Sequence, residues 1–200
     1  MTEQEFKALL ALGHESRGVE FKTAGKRTDK AFLALVVRAA LGMTNRQDGG
    51  LIVIGVADDG TEIKVIGLGA EDLPTWTHNS LGDSFGEYAD PAIVFDLERL
   101  QVEGKTLVVV HVYEFDDVPV LCKKDYPGTL RAGACYVRTR KKPETSEIPG
   151  QTEMRELIEL ATSKGLRKTL RTLRDAGVDL GLPGPPADKA LFDQQIKDLL

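Results

Sequence analysis

Residues 13–22 read GHESRGVEFK: two carboxylates, Glu15 and Glu20, lie five positions apart, and a lysine, Lys22, follows the second by two. The alternation Val19, Glu20, Phe21, Lys22 predicts a strand that turns Val19 and Phe21 to one face and Glu20 and Lys22 to the other. A five-residue spacing matches neither the helical nor the strand repeat, so Glu15 reaches the face of Glu20 only where the chain bends. Ser16 and Gly18 suit that bend. Two acids and a lysine so placed can hold a divalent metal against a phosphate. By itself the segment reads as an edge strand with a solvated Glu and Lys face, and only a third acidic ligand from elsewhere makes it a site. His14, next to Glu15, is the one histidine kept as a candidate.

The elements around this stretch must do the positioning. Thr2 and Glu5 have capping-box spacing, and Phe6, Leu9, Leu10 and Leu12 form a stripe that Gly13 can end, which predicts a helix over 2–12. After a basic loop at 23–30, Thr28 or Asp29 caps an apolar helix from about 30 to 44, whose hydrophobic residues cover most of its circumference and require packing from several sides. Gly49 and Gly50 turn the chain into the apolar run 51–56, a central strand buried on both faces. Asp58 and Asp59 follow it, before Gly60 and a turn into 63–66. A rigid strand that ends on acids can fix a carboxylate in place, whereas the same residues also make an ordinary hairpin turn. No G-x-x-x-x-G-K-[ST] or G-x-G-x-x-G is present, so a nucleotide-binding fold has no support.

Taken in order, the E-x-x-x-x-E-F-K element (Glu15, Glu20, Phe21, Lys22), the helix end running into Gly49-Gly50, and the run LIVIGVADDG at 51–60 resemble the Schlafen core, or AlbA_2 domain. The pieces at 102–110, 118–120 and 136–138 agree, and the similarity covers roughly 13–160. The segment TNRQD at 44–48 is longer than the family's usual approach to Gly-Gly. The resemblance implies an α+β domain, a single mixed sheet with flanking helices and a C-terminal helical tail. For activity it implies a metal-dependent endoribonuclease on structured, tRNA-like RNA, in bacterial stress or antiviral defence, or a non-catalytic nucleic-acid-binding or regulatory module on the same fold. Matched residue by residue, the family's acids become Glu15, Glu20 and Asp58, with Asp59 as the alternative third acid and Lys22 beside them toward phosphate. The implied cofactor is Mg²⁺ or Mn²⁺. The implied partners are RNA or another nucleic acid and a second copy of the chain in a homodimer.

Composition bounds these readings. Two hundred residues, 42% hydrophobic and 28% charged, suffice for one ordinary domain with an appendage, here 1–162 and 163–200. No apolar run is long enough to span a membrane, and a cytoplasmic protein is expected. The net charge of -5 is uneven: residues 61–120 carry twelve acidic and three basic side chains, and 121–175 carry thirteen basic and seven acidic. The basic stretch offers a phosphate-backbone track through Lys123, Lys124, Arg131, Arg138, Arg140, Lys141 and Lys142, with Arg138 and Arg140 alternating toward one face. Farther on, Arg167, Lys168 and Arg171 add to it from a segment at 164–174 that reads separately from an amphipathic helix at 151–160. The same charges read alternatively as a solvated face, or as a self-association surface with the acidic middle. Trp76 and His111 read as core, and Cys122 and Cys135 as small buried side chains in strands. Residues 177–188 read as a linker and 189–200 as a short amphipathic tail.

Overall fold

A computed structural model describes residues 2–10, 17–58, 62–140 and 142–178. The chain divides into two units, Met1–Ser163 and Lys164–Leu200. Helix α1 (Glu3–Leu10) starts where the capping box places it: the Thr2 amide donates to Glu5 Oε2 at 2.7 Å and the Glu5 amide donates to Thr2 Oγ1 at 3.2 Å. Strand β1 (Val19–Lys22) leads to helix α2 (Lys30–Thr44), whose N-cap is Asp29, its carboxylate accepting from the amides of Ala31 and Phe32. Strands β2 (Gly50–Ile54), β3 (Val56–Asp58) and β4 (Ile63–Val65) follow, then a 3-10 turn at Leu73–Thr75, helix α3 (His78–Tyr88) and strand β5 (Ala89–Asp90). Strands β6 (Phe95–Val102), β7 (Lys105–Val112), β8 (Leu121–Cys122), β9 (Tyr136–Arg138) and β10 (Thr145–Glu147) complete the first unit's strands. Helix α4 spans Gln151–Asp175, one continuous helix where the sequence suggested two segments. The linker and tail expected beyond residue 178 lie outside the described residues.

The main sheet has the order β1-β2-β7-β6. β1 and β2 are parallel, joined by the crossover helix α2, and the other two pairings are antiparallel, so the sheet is mixed. Both faces are covered. On one, Ile52, Ile54, Val108, Val110 and Val112 pack with the buried side of α2, with α3 and with the region of β8 and β9. On the other, Val19, Phe21, Val53, Leu107 and Val109 pack with Phe6 of α1 and Val56 of β3. This two-sided burial explains the unbroken apolar runs of β2 and β7, since each such side chain contributes about 1.5–3 kcal/mol when fully buried. α2 buries ten consecutive or near-consecutive residues between Leu33 and Thr44, as its all-round apolar surface predicts.

Two tight connections set the register. The β6–β7 hairpin turns on Glu103 and Gly104 at φ 51° and 76°, the left-handed pair that a two-residue hairpin requires. After α2, Gly49 sits at φ 61° with the Val112 carbonyl oxygen only 2.0 Å from where a Cβ would stand, so this glycine serves close chain approach. Between them, buried Asn45 staples three elements. Its Nδ2 donates to Val120 O at 2.8 Å and Tyr136 O at 3.0 Å, and its Oδ1 accepts from the Val120 amide at 2.8 Å.

Asn45→Ala and Asn45→Asp each orphan buried backbone groups and lower the urea unfolding free energy by about 2–4 kcal/mol, with the m-value unchanged. Glu103→Asn removes a left-handed strain of about 1 kcal/mol at an exposed turn and raises the thermal midpoint by a few degrees. A lowered midpoint would contradict the assignment of that turn.

Candidate functional site

The parallel register Glu20↔Ile52 and Lys22↔Ile54 puts the polar side of β1 on the sheet face that carries Ile52 and Ile54, with Val19 and Phe21 in the opposite core. β2 does not itself deliver the acids. It stops at Ile54, because Gly55 at φ 105° redirects the chain where a Cβ would meet the Leu107 and Leu68 side chains at 2.7 and 2.9 Å. The chain then enters β3, paired antiparallel with β4, and Asp58 sits opposite Ile63 at the end of that small hairpin. Residues 20–23 and 56–58 line one open cleft of about 510 Å³, so Glu20, Lys22 and Asp58 share a single space. Glu15, Asp59 and His14 lie outside the described residues, and among the described residues no three His, Cys, Asp or Glu side chains form a metal-binding group.

Glu20 is held on both oxygens. Lys22 Nζ donates to Oε1 and Arg138 Nη1 donates to Oε2. The Glu20 side chain is 12% exposed, Lys22 19% and Arg138 0%. Arg138 also donates through Nε to the Arg17 carbonyl at 3.1 Å and through Nη2 to the Val19 carbonyl at 3.2 Å, and Arg17 Nε returns a bond to the Arg138 carbonyl at 3.0 Å. Arg17 and Arg140 both pair with Glu156 of α4. Burial pushes the Glu156 carboxyl up, but the hydrogen bonds from Arg17 and Arg140 outweigh it and hold the group below the usual carboxylate range. Arg46 completes the cluster: burial, then the charges of Arg17 and Arg138, lower its pKa, and its Nη1 donates to the Gly49 carbonyl at 2.5 Å. Gly18 lets this guanidinium approach, since a Cβ there would stand 3.3 Å from it.

Arg17, Arg46 and Glu156 were not legible as site residues, because each sits in an unremarkable charged context and only folding brings 17, 46, 138 and 156 together. Arg138 requires a correction. The sequence placed it beside Arg140 on an outward face, whereas it is fully buried and points at Glu20. The reason is that β9 ends at Arg138, and Thr139 bonds the Lys142 carbonyl at 2.7 Å, which turns the chain before Arg140.

Of the other basic candidates, Lys124 pairs with Glu87 and lies 5.5 Å from the Tyr88 ring centre, Arg131 pairs with Glu147, and Arg140 pairs with Glu156. Lys123 and Lys142 are exposed, and Lys141 lies outside the described residues. Arg167, Lys168 and Arg171 are exposed on α4 within the second unit. Trp76 is core, 1% exposed, its Nε1 donating to the Gly25 carbonyl at 2.9 Å. His78 stacks on Phe95 with ring centres 4.5 Å apart, and His111 bonds Glu98 at 2.6 Å, so both are engaged within the fold. Cys122 is buried and Cys135 half-buried, both as free thiols, and burial pushes the Cys135 thiol up to about 11. Among the described residues no helix is long and apolar enough to cross a membrane.

With this geometry in place, comparison with known proteins is direct. The sequence profile described as Schlafen, AlbA_2 matches residues 15–146, which includes β1, α2, the main sheet and the basic strand β9. No protein of curated function matches the chain at a significant level. Among solved structures, the chain is similar to an N-terminal domain from Nitrosomonas europaea, named for its relation to the ATP-dependent DNA helicase RecG, at 23% identity and a TM-score of 0.49. That match covers 76% of this chain and 98% of the other. A protein of Corynebacterium diphtheriae is similar at 15% identity and a TM-score of 0.45, over 72% of this chain and 27% of the other. A profile match over more than half of the residues, on a mixed α+β fold with one principal mixed sheet, shows that the chain belongs to the Schlafen AlbA_2 family.

Proposed function

We propose that the chain is a metal-dependent endoribonuclease of Schlafen type acting on structured, tRNA-like RNA. The observation that carries this reading is the meeting of Glu20, Lys22 and Asp58 in one cleft, from two strands far apart in sequence. Carboxylate oxygens are the donors that Mg²⁺ and Mn²⁺ prefer, so Glu20 and Asp58 fit such an ion, with Glu15 as the further acid and Asp59 as the alternative to Asp58. When bound, the ion offsets phosphate charge and acidifies a water molecule. The chain's own residues do the rest. Arg138 and Lys22 fix the orientation of Glu20, Asp58 supplies a second negative wall, and Lys22 brings an ammonium to the phosphate side of the cleft. RNA is favoured as substrate by family resemblance, and its 2′-hydroxyl offers an internal nucleophile besides water.

One observation favours a second reading, a non-catalytic nucleic-acid-binding module. Glu20 is already neutralised by two cations, Lys22 and Arg138, and an acid so engaged is a poorer metal ligand. On that reading the exposed bases Lys123 and Lys142 of the first unit and, separately, Arg167, Lys168 and Arg171 of the second are the phosphate contacts among the described residues.

Total tRNA incubated with the full chain and Mn²⁺ or Mg²⁺ distinguishes the two. The nuclease reading expects cleavage that falls by about 100-fold or more in Glu20→Gln and in Asp58→Asn, with circular dichroism unchanged. Mn²⁺ binding followed by electron paramagnetic resonance weakens in the same variants. Equal RNA binding by all three proteins, with no cleavage and no Mn²⁺ uptake by any, leaves the binding module.

The buried and exposed bases separate in a second experiment. Arg138→Met breaks a buried ion pair and lowers the unfolding free energy by about 3–5 kcal/mol. Lys123→Gln and Lys142→Gln leave stability within about 0.5 kcal/mol. Each of these instead flattens the dependence of log K for tRNA on log salt by about 0.7–0.9. Unchanged slopes in both variants would remove these residues from the interface.

A further inference from the structure

A second concavity, of about 260 Å³, lies away from the acid cleft, between α2, the loop at 128–131 and the β9–β10 pair. Its polar lining comes from Arg38, Thr129, Arg131, Tyr136 and Glu147. Arg38 is the one charged residue between Lys30 and Asn45 on an otherwise apolar helix, and its position is tightly determined. Its Nη2 donates to the Thr145 carbonyl at 2.7 Å, and its guanidinium carbon stands 5.8 Å from the centre of the Tyr136 ring. Its Nε is buried without a hydrogen-bond partner. No carboxylate of the described residues lies within ion-pairing distance of it, whereas Arg17, Arg131, Arg138 and Arg140 each have one. The nearest acid, Glu147, feels the charge of Arg38 across the pocket but is committed to Arg131, so the half-buried Arg38 guanidinium borders the cavity without a direct ion pair and gains from an anion that completes it.

Arg131 brings a second guanidinium to the same space. It is oriented by Glu147, which accepts from Nε at 2.9 Å and from Nη2 at 2.5 Å, and its Nη1 donates to no acceptor among the described residues. Tyr136 braces the loop: its hydroxyl accepts from the Arg131 amide at 2.9 Å. With Arg38 and Arg131 positive and Glu147 negative, the pocket carries one net positive charge on a preformed frame, suited to a planar-fork contact with phosphate oxygens.

We propose that this pocket is a phosphate-binding site, with Arg38 as its principal ligand and Arg131 as the second. It stands apart from the nuclease reading: none of its lining residues belongs to the acid cleft, so either assignment can fail alone. The phosphate is either a monoester, free or at a strand terminus, or a diester of the nucleic-acid backbone. Glu147 acts as an internal competitor for Arg131, which gives the site a signature that a purely structural arginine lacks.

The test follows the arginine side-chain Nε–H signals of the full chain by NMR at constant ionic strength. Inorganic phosphate, adenosine 5′-monophosphate and a dinucleoside monophosphate without a terminal phosphate are titrated separately. Saturable shifts of the Arg38 and Arg131 signals are expected. Arg38→Gln and Arg131→Gln each weaken binding by about tenfold, as loss of one charge-assisted contact does. Glu147→Gln tightens it severalfold by releasing Arg131. Response to the monophosphate but not the dinucleoside assigns a monoester, and response to both assigns the backbone. Arg131 is 62% exposed on its side chain, so its variant folds and keeps the test valid if Arg38→Gln does not. Absence of a saturable shift with every probe, or affinity unchanged in Arg131→Gln and in Glu147→Gln, overturns the assignment.

Discussion

The buried pairing of Arg138 with Glu20 is the constraint on which both the sheet and the cleft depend. A guanidinium with no exposed surface is tolerated only when its charge and its donors are matched, and among the described residues Arg138 is met by the Glu20 carboxylate and by the carbonyls of Arg17 and Val19. The Val19 carbonyl belongs to β1, an edge strand of the main sheet, and the Arg17 carbonyl lies two residues before it. An unpaired edge is an invitation to pair with another chain, and here a side chain occupies it in place of a further strand. Tertiary pairing therefore does for β1 what a neighbouring strand does in the sheet interior.

The same pairing links elements that local interactions would leave independent. β9 forms only a three-residue pairing with β10, and such a short ribbon has little stability of its own. Asn45 ties its first residue to the end of α2, and Arg138 ties its last residue to β1, so both ends of β9 are fixed to the crossover unit. α2 is in turn fixed by its covered circumference, which leaves β1, α2, β2 and β9 as one mechanical block under the cleft.

Much of this was legible in the sequence, and the parts that were not share a cause. The capping box of α1, the Asp29 cap of α2 and the buried run of β2 all follow from patterns within a few residues. Asp58 was legible as a residue after a strand but not as part of a separate hairpin, because the break at Gly55 depends on side chains from positions 68 and 107. Arg138 alternates correctly for a surface hairpin, and only the long-range contact with position 20 shows that its face is the inner one. Glu156 and Arg17 carry no local signal at all. The two spans of charge that looked opposed in sequence, acidic at 61–120 and basic at 121–175, are partly joined through Glu87 and Lys124, while Arg131 and Arg140 find acids from their own span.

The engagement of Glu20 by two cations bears unequally on its two oxygens. Oε2 faces Arg138, which has no exposed surface and three further reasons to stay, its bonds to two carbonyls and its buried stem. Oε1 faces Lys22, which is partly exposed, lines the cleft and holds the carboxylate with a flexible ammonium. Exchange at Glu20 is therefore an exchange at Oε1, and it leaves the Arg138 pairing in place. On the nuclease reading the displaced Lys22 ammonium stays within the cleft, where an incoming phosphate gives it a new partner. On that reading, a carboxylate fixed by a buried arginine and gated by an exchangeable lysine reconciles a structural duty at the sheet edge with a chemical one in the cleft.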